Sequence, residues 1–347
     1  MKKVLIVLLV FMVASSMVFA NGRSETTGKS GKGEVVIYSP NSDSEIEAVI
    51  PAFEKATGIK VILQSMGTGD VLARLEAEKA NPQADINWGA VNLGFWTGHE
   101  DLYAEYVSPN DKYLPKAYQS YNGYFTYTKL SGSAALLINE EVFRKLGLNP
   151  DEFKGYKDLL RPELKGKIAM GDPTASSSAW AEVTNMLLVM GDKPYDEKAW
   201  DYVAKFVSQL NGSIISSSSQ IYKATADGEY AVGVSYEDPC ISLLESGAKN
   251  IRVVYPEEGA VWLPSGVAIV KGCKNLDNAK AFVDFLISEE GQKGYAATTI
   301  RPVLASVENN SPSMLPFSKI NVVYEDIPYV AANKSAWLER WIELITK

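Results

Sequence analysis

Between residues 34 and 89, the hydrophobic and polar positions switch repeatedly between the pattern of a strand and that of a helix. Short β-branched runs predict buried strands, and apolar residues at helical spacing predict helices between them. The predicted strands are 34–38, 59–63 and 85–89, and the predicted helices lie around 46–53 and after Gly67-Thr68-Gly69-Asp70. Pro51 inside the first helical pattern indicates a kink or a late helix start. This β-α-β-α-β order indicates a parallel, doubly wound sheet.

The middle of the chain repeats this order, which predicts a second α/β lobe. The predicted strands are 132–138, 167–170, 230–235 and 267–271, and the predicted helices are 140–146, a segment around 180–190, 195–210, 220–227 and 278–288. About 315 structured residues are more than one hydrophobic core usually supports. We therefore expect two domains.

Residues 1–20 have the pattern of a secretory signal peptide. Two lysines precede the apolar run Val4–Val13, and Ala20 is a small residue after which signal peptidase is expected to cleave. An apolar run of this length is too short to span a membrane. Residues 21–33 are small and polar, which predicts a flexible leader. Because no cysteine near the cleavage site is available for a lipid anchor, a soluble protein of a periplasm is expected.

The charge balance argues against nucleic acid or an anionic membrane as the main partner. Removing residues 1–20 removes two lysines and no acidic residue, so 34 basic residues become 32 against 42 acidic residues. Both of those partners require clustered Lys and Arg. The two cysteines, Cys240 and Cys273, could pair in an oxidising compartment, although unpaired thiols are slightly favoured.

Seven segments of the chain resemble one family of transport receptors. They are Val36–Ser39, Pro51–Val61, Leu72–Asp85, Leu164–Ile168 with Asp172-Pro173, and Gly272–Lys280 with Phe285–Gln292. Together they are similar to the extracellular solute-binding proteins of ferric-ion, thiamine, phosphonate, polyamine and hexose-phosphate importers. The resemblance implies a type II periplasmic binding protein fold, α/β and two-lobed, with a central ligand cleft.

The same resemblance implies the domain boundaries and the partners. Lobe 1 is expected to comprise 34–130 and 264–305, and lobe 2 is expected to comprise 131–263 and 306–347. The small-molecule ligand would be delivered to the membrane permease subunits of an ABC importer. We expect a monomer that needs no cofactor.

Ferric-ion members of this family place a His after the first strand, a Glu after the third strand and a Tyr pair in the second lobe. Hard Fe(III) requires such anionic oxygen ligands. Here the corresponding segments are Ser39-Pro40-Asn41-Ser42, Asn87-Trp88-Gly89 and Tyr236-Glu237-Asp238. The only histidine, His99, is expected on the surface. Bare Fe(III) is therefore disfavoured, although a non-standard ligand set or a synergistic anion remains an alternative.

Two segments of small, hydroxyl-bearing residues precede predicted helices. They are Gly67-Thr68-Gly69-Asp70 and Thr174-Ala175-Ser176-Ser177-Ser178. Free N–H groups and the helix dipole at a helix N-terminus favour an oxyanion. The residues could also be ordinary N-caps. Two such segments facing one cleft predict a phosphate, phosphonate or carboxylate ligand.

Carboxylates and aromatic residues complete the predicted site. Glu237 and Asp238 would accept hydrogen bonds from sugar hydroxyls or an ammonium group, or would belong to a turn stiffened by Pro239. Hexose-phosphate members have a His-Asp pair there, of which only Asp238 is matched. Trp88 and Trp262 could stack on the ligand or pack in the core. Arg301 could bind an anion or form a surface salt bridge.

These arguments give a set of candidate residues without catalytic or metal-ligating members. The predicted ligand-binding residues are Ser39, Asn41, Thr68, Gly69, Trp88, Thr174, Ser176, Ser177, Tyr236, Glu237, Asp238 and Trp262. A secreted hydrolase is a weaker hypothesis, because the chain has no G-x-S-x-G, H-E-x-x-H or Walker A motif. A receptor that signals to a chemoreceptor would have the same fold.

Overall fold

The structure is a computed structural model that describes residues 33–89, 98–120, 122–132, 134–215 and 218–346. The predicted signal peptide and all but the last residue of the predicted leader lie outside the described residues. The strands are β1 (Glu34–Ser39), β2 (Lys60–Ser65), β3 (Ile86–Trp88), β4 (Thr126–Gly132), β5 (Ala135–Asn139), β6 (Ile168–Gly171), β7 (Ile214–Ile215), β8 (Val232–Ser235), β9 (Ile251–Val254), β10 (Ala260–Ile269), β11 (Arg301–Pro302) and β12 (Val322–Val323). The helices are α1 (Asp43–Thr57), α2 (Thr68–Glu78), α3 (Glu140–Lys145), α4 (Ser177–Val189), α5 (Glu197–Leu210), α6 (Ser218–Ala226), α7 (Glu237–Glu245), α8 (Leu276–Leu286), α9 (Glu289–Ala296) and α10 (Ile327–Thr346).

The strands form two sheets. The first sheet has seven strands in the order β11-β4-β10-β3-β1-β2, with β12 paired to β10. The second has five strands in the order β7-β6-β8-β5-β9. Strands β1, β2 and β3 are parallel, as the β-α-β-α-β pattern predicted, whereas β10 runs antiparallel to β3 and β4. The expected α/β fold with two sheets is confirmed.

Each sheet is covered by helices that bury an apolar face on it. Phe53 of α1 meets Phe282 and Phe285 of α8 edge to face, with ring centroids 5.0 and 5.5 Å apart, in the core of the first sheet. In the core of the second sheet, Trp180 of α4 packs near Trp337 of α10. No helix among the described residues has both the length and the apolar character needed to span a bilayer.

Three sequence predictions about the strands and helices were wrong in part. Helix α1 begins at Asp43, eight residues before Pro51, so the late start is wrong. Pro51 cannot donate a backbone hydrogen bond to the preceding turn. Burial of Val49 and Phe53 on either side keeps the helix continuous there. The predicted strand 132–138 is two elements, because Gly132 ends β4 in the first sheet and Ala135 begins β5 in the second. The predicted strand 267–271 is the end of the longer β10.

Both cysteines lie in the described part of the chain, and neither forms a disulfide. Cys240 is buried in α7, and Cys273 is partly buried after β10. Burial raises the pKa of the Cys273 thiol to about 11, so it is protonated at neutral pH.

Candidate functional site

An open cavity of about 680 Å³ is lined by residues that follow strands of both sheets. The first sheet contributes the segments after β1 and β2 together with Lys129 and Ser131 at the end of β4. The second sheet contributes the segments after β6 and β8. Ligands of α/β proteins bind at the carboxyl ends of strands in this way. This cavity is the candidate site.

Five helices begin at the cavity wall. The first-turn or capping residues that line it are Ser42 and Glu45 of α1, Gly67 to Asp70 of α2, Ser176 to Ser178 of α4, Ser218 of α6, and Tyr236 to Asp238 of α7. Among the described residues, the N-caps of α1 and α7, Ser42 and Tyr236, form no side-chain hydrogen bond to the first turn, and the N-cap of α2, Gly67, has no side chain. Unsatisfied N–H groups and the positive ends of several helix dipoles are therefore directed at one volume.

Nine of the twelve predicted ligand residues line this cavity. They are Asn41, Thr68, Gly69, Thr174, Ser176, Ser177, Tyr236, Glu237 and Asp238. Several of these hydroxyls also stabilise the loop that carries them. Ser176 Oγ caps α4 by accepting from the Ala179 N–H at 3.3 Å, and Thr174 Oγ1 donates to Asp172 at 2.8 Å. The N-cap and ligand-binding interpretations are thus compatible at Ser176.

Ser39 and Trp88 lie behind the cavity wall. The Ser39 hydroxyl is buried, donates to the Trp88 carbonyl at 2.6 Å and accepts from the Asn41 N–H at 3.1 Å. Trp88 is fully buried against Phe282, and its Nε1 donates to the Tyr295 hydroxyl at 3.2 Å. The prediction that these two side chains contact ligand is wrong, because their polar atoms are used to join β1, β3 and α9.

Trp262 is also internal, and its partner is another predicted ligand residue. Its Nε1 donates to Glu237 Oε2 at 3.0 Å, and its ring packs against Phe317 with centroids 4.9 Å apart. Only 4% of Trp262 is exposed. The stacking role predicted for it is therefore wrong.

Glu237 reaches the cavity wall, but its carboxylate is fully occupied. Oε1 accepts from Arg301 at 2.6 Å and from the Tyr255 hydroxyl at 2.5 Å, while Oε2 accepts from Arg301 at 2.8 Å and from Trp262. Arg301 is buried as well, so it is neither a surface residue nor exposed to ligand as the sequence suggested. Four hydrogen bonds leave Glu237 with no lone pair for a ligand. We call this bidentate pair the Glu237–Arg301 clamp.

The clamp fixes the first turn of α7, so the alternative that Glu237 and Asp238 belong to a turn stiffened by Pro239 is wrong, because both residues begin a helix. The next residue, Asp238, is bound by Thr299 Oγ1, which also lies 3.0 Å from the Ser242 hydroxyl. Burial raises the pKa of the Asp238 carboxyl, and Thr299 and Lys129 partly oppose that rise. Asp238 is the carboxylate of this loop that faces the cavity.

Lys129 and Glu45 are cavity residues that the sequence interpretation missed. Lys129 Nζ is paired with Glu45 and donates to Asn41 Oδ1 at 3.1 Å. Lys129 lies on β4, which was not predicted. The β-branched and aromatic residues Thr126-Tyr127-Thr128 are the signal that could have identified this strand. Of the described residues that line the cavity, Lys129 is the only basic one.

The described residues of the site offer few ligands for a metal ion. Across the described ranges, no three His, Cys, Asp or Glu side chains are grouped as metal ligands. Burial raises the pKa of the Tyr236 phenol well above its usual value. A phenolate for hard Fe(III) would therefore form there only at a cost.

Two α/β sheets that enclose a polar cavity between helix N-termini define a ligand receptor of the periplasmic binding protein class. The chain belongs to the bacterial extracellular solute-binding protein family, whose profile matches residues 48–315. The resemblance seen in the sequence is confirmed. The protein is accordingly a binding protein and not an enzyme.

Individual relatives cover most of the chain. The probable ABC transporter periplasmic-binding protein y4fP of Sinorhizobium fredii is 27% identical, over 89% of this chain and 86% of its own. Iron uptake protein A1 of Synechocystis is 28% identical, over 80% and 78% respectively. The structure of the periplasmic binding protein AfuA from Actinobacillus pleuropneumoniae, with fructose 6-phosphate bound, matches with a TM-score of 0.77 and 28% identity, and covers 91% of this chain and 99% of AfuA.

Proposed function

We propose that this protein captures a small organic anion that bears a phosphate, phosphonate or carboxylate group, and delivers it to the permease of an ABC importer. The observation that carries the proposal is the convergence of five helix N-termini on one cavity. Each N-terminus contributes about half a positive charge and free N–H donors. A negatively charged group is the ligand that such an arrangement stabilises most.

The remaining cavity residues favour an organic ligand over inorganic phosphate alone. A volume of about 680 Å³ exceeds what one phosphate group fills. Asp238, Asp70 and the hydroxyls of Thr68 and Ser177 supply acceptors and donors for hydroxyl groups. The similarity to AfuA, with fructose 6-phosphate bound, supports a phosphorylated sugar as the first ligand to test.

Delivery to an importer is supported by the family and by the similarity to the Sinorhizobium protein. In this proposal, the monomer is exported to the periplasm by residues 1–20. The lobes comprise 34–130 with 264–305 and 131–263 with 306–347, and they close on the ligand. A ligand that contacts helix N-termini of both sheets would favour the closed conformation.

Thermal-shift screening tests the class of ligand. We expect fructose 6-phosphate or another phosphorylated or phosphonate compound to raise the melting temperature, because a ligand that binds only the folded state stabilises it by mass action. A ligand at about 100 times its Kd contributes about 2.7 kcal/mol. The panel includes unphosphorylated fructose, inorganic phosphate, citrate, spermidine, thiamine phosphate and ferric ion. A shift with ferric ion or spermidine alone, and none with any anion, would contradict the proposal.

A further inference from the structure

Glu45 is a buried carboxylate with one oxygen unused. It lies in the first turn of α1, is 0% exposed and lines the cavity. Its Oε2 is paired with Lys129 Nζ, whereas its Oε1 has no hydrogen-bond partner among the described residues. A buried, unpaired polar atom has an energetic cost, so an atom of this kind at the wall of a binding cavity points to a change of state when ligand binds.

Lys129 is the cation paired with Glu45. Its side chain is only 12% exposed and is bound by Glu45 and by Asn41 Oδ1. The Nδ2 of Asn41 is buried and also lacks a partner in the described part of the chain. Lys129, Glu45 and Asn41 thus form a small cluster at the cavity wall. Within it, Glu45 Oε1 and Asn41 Nδ2 have no hydrogen-bond partner among the described residues.

Three titratable groups face Glu45 from three other elements. Lys129 lies on β4, Asp238 on α7 and Tyr295 on α9. Burial raises the pKa of the Glu45 carboxyl and Asp238 adds to this rise, while the Lys129 ammonium opposes it. Burial also raises the pKa of Tyr295, so that phenol is neutral at physiological pH. Lys129 is therefore the one group of the three that favours the ionised form of Glu45.

We propose that Lys129 exchanges its ion pair with Glu45 for an ion pair with an anionic ligand, and that the Glu45 carboxyl takes up one proton as the ligand binds. This inference rests on the proposed function, since it requires an anion in the cavity. The buffer acid, and not Lys129, supplies the proton, which forms an O–H bond on the Glu45 carboxyl. Lys129 then forms an ion pair with the ligand anion.

Like-charge repulsion makes the proton necessary. A ligand oxyanion at Lys129 lies beside the Glu45 carboxylate, and two such groups sharing a desolvated site do not both stay ionised. Proton uptake removes the repulsion and gives Glu45 an O–H that can donate to the ligand. Because binding takes up a proton, the affinity for a fixed ionic form of the ligand falls as the pH rises.

Isothermal titration calorimetry at one pH, in buffers of different ionisation enthalpy, measures this proton. The probe is fructose 6-phosphate, with inorganic phosphate as the second anion. The slope of the observed enthalpy against the buffer ionisation enthalpy gives the number of protons taken up. We expect the native protein to take up about 0.5–1 proton more than Glu45→Gln, since Gln has nearly the shape of Glu and cannot titrate. The comparison cancels protons bound by the ligand itself.

Lys129→Met is the second variant and is independent of whether Glu45→Gln folds. Without Lys129, nothing opposes the rise that burial causes in the Glu45 pKa, so we expect Glu45 to be protonated before the ligand binds. The proton slope should therefore fall below that of the native protein by about 0.5–1 proton, and the affinity for the anion should fall about tenfold or more, as for a lost charge-assisted hydrogen bond. Circular dichroism verifies the fold of each variant.

The outcomes separate this inference from the proposed function. Equal slopes in the native protein and Glu45→Gln would overturn the inference while the anion-binding function stood. An uptake that persists in Glu45→Gln but vanishes in Asp238→Asn would assign the proton to Asp238 and overturn it too. Failure of both anions and of the whole thermal-shift panel to bind would remove the proposed function and this inference with it.

Discussion

Replacing Ser177 by glutamate is expected to lower the affinity for an anionic ligand by about 100-fold, which corresponds to about 2.8 kcal/mol. Ser177 is the first residue of α4 and lines the cavity. A carboxylate there would occupy the helix N-terminus that the ligand anion needs, and like charges brought together in a binding site cost several kcal/mol. Equilibrium dialysis or calorimetry with the ligand found in the thermal-shift panel measures the loss.

The same substitution is not expected to weaken the fold. An acidic side chain in the first turn of a helix stabilises it by about 0.3–1 kcal/mol. A matched control is Leu276→Glu, at the first position of α8, which is exposed and outside the cavity. It adds the same charge at the same helix position and should leave the affinity unchanged. If Ser177→Glu raised the affinity instead, the ligand would carry a positive group at α4 and the anion proposal would be wrong.

The sequence predicts those parts of the site and of the fold that depend on neighbouring residues in the chain. Small hydroxyl-bearing residues before a helix identify a helix N-terminus, and the segments at Thr68 and Ser177 were found in this way. The alternation of strands and helices was enough for the doubly wound part of the first sheet. The order of the remaining strands, including the antiparallel insertion of β10 between β3 and β4, depends on contacts between distant parts of the chain.

The errors concern residues that could either contact a ligand or stabilise the fold, because both roles give the same pattern in the sequence. Tryptophan stacks on ligands and also fills cores, and Trp88 and Trp262 were assigned to the wrong role because only their neighbours in space distinguish the two. Glu237 follows a strand at the ligand loop, yet Arg301, 64 residues later, occupies its carboxylate. Lys129 was missed because the residues next to a single lysine in a short strand do not show whether it faces a cavity or solvent.

The Glu237–Arg301 clamp should make Arg301 one of the residues most sensitive to substitution. Arg301→Leu would leave the Glu237 carboxylate buried without its cation, since the two side chains are only 2% and 7% exposed. Breaking a buried pair in this way costs about 3–5 kcal/mol. Urea unfolding of the two proteins measures the difference in the free energy of unfolding. Arg144→Leu is the control, because Arg144 forms an ion pair with Glu140 while 62% exposed, and its loss should be much smaller.

A double variant shows whether the uncompensated charge is the cause. Glu237→Gln in the Arg301→Leu background removes the buried negative charge, keeps one acceptor oxygen for the Trp262 N–H, and places an NH2 group that can donate to the Tyr255 hydroxyl. We expect the double variant to be more stable than Arg301→Leu alone, because two neutral side chains no longer require the buried ion pair. The Arg301 guanidinium carbon lies 5.2 and 4.3 Å from the ring centroids of Trp262 and Phe317. If the double variant is as unstable as the single one, the loss of stability comes from the lost packing of Arg301 against these two rings. Either way, the clamp uses the Glu237 carboxylate to hold the fold together at the cavity wall, and in our proposal Asp238 and Lys129 contact the ligand instead.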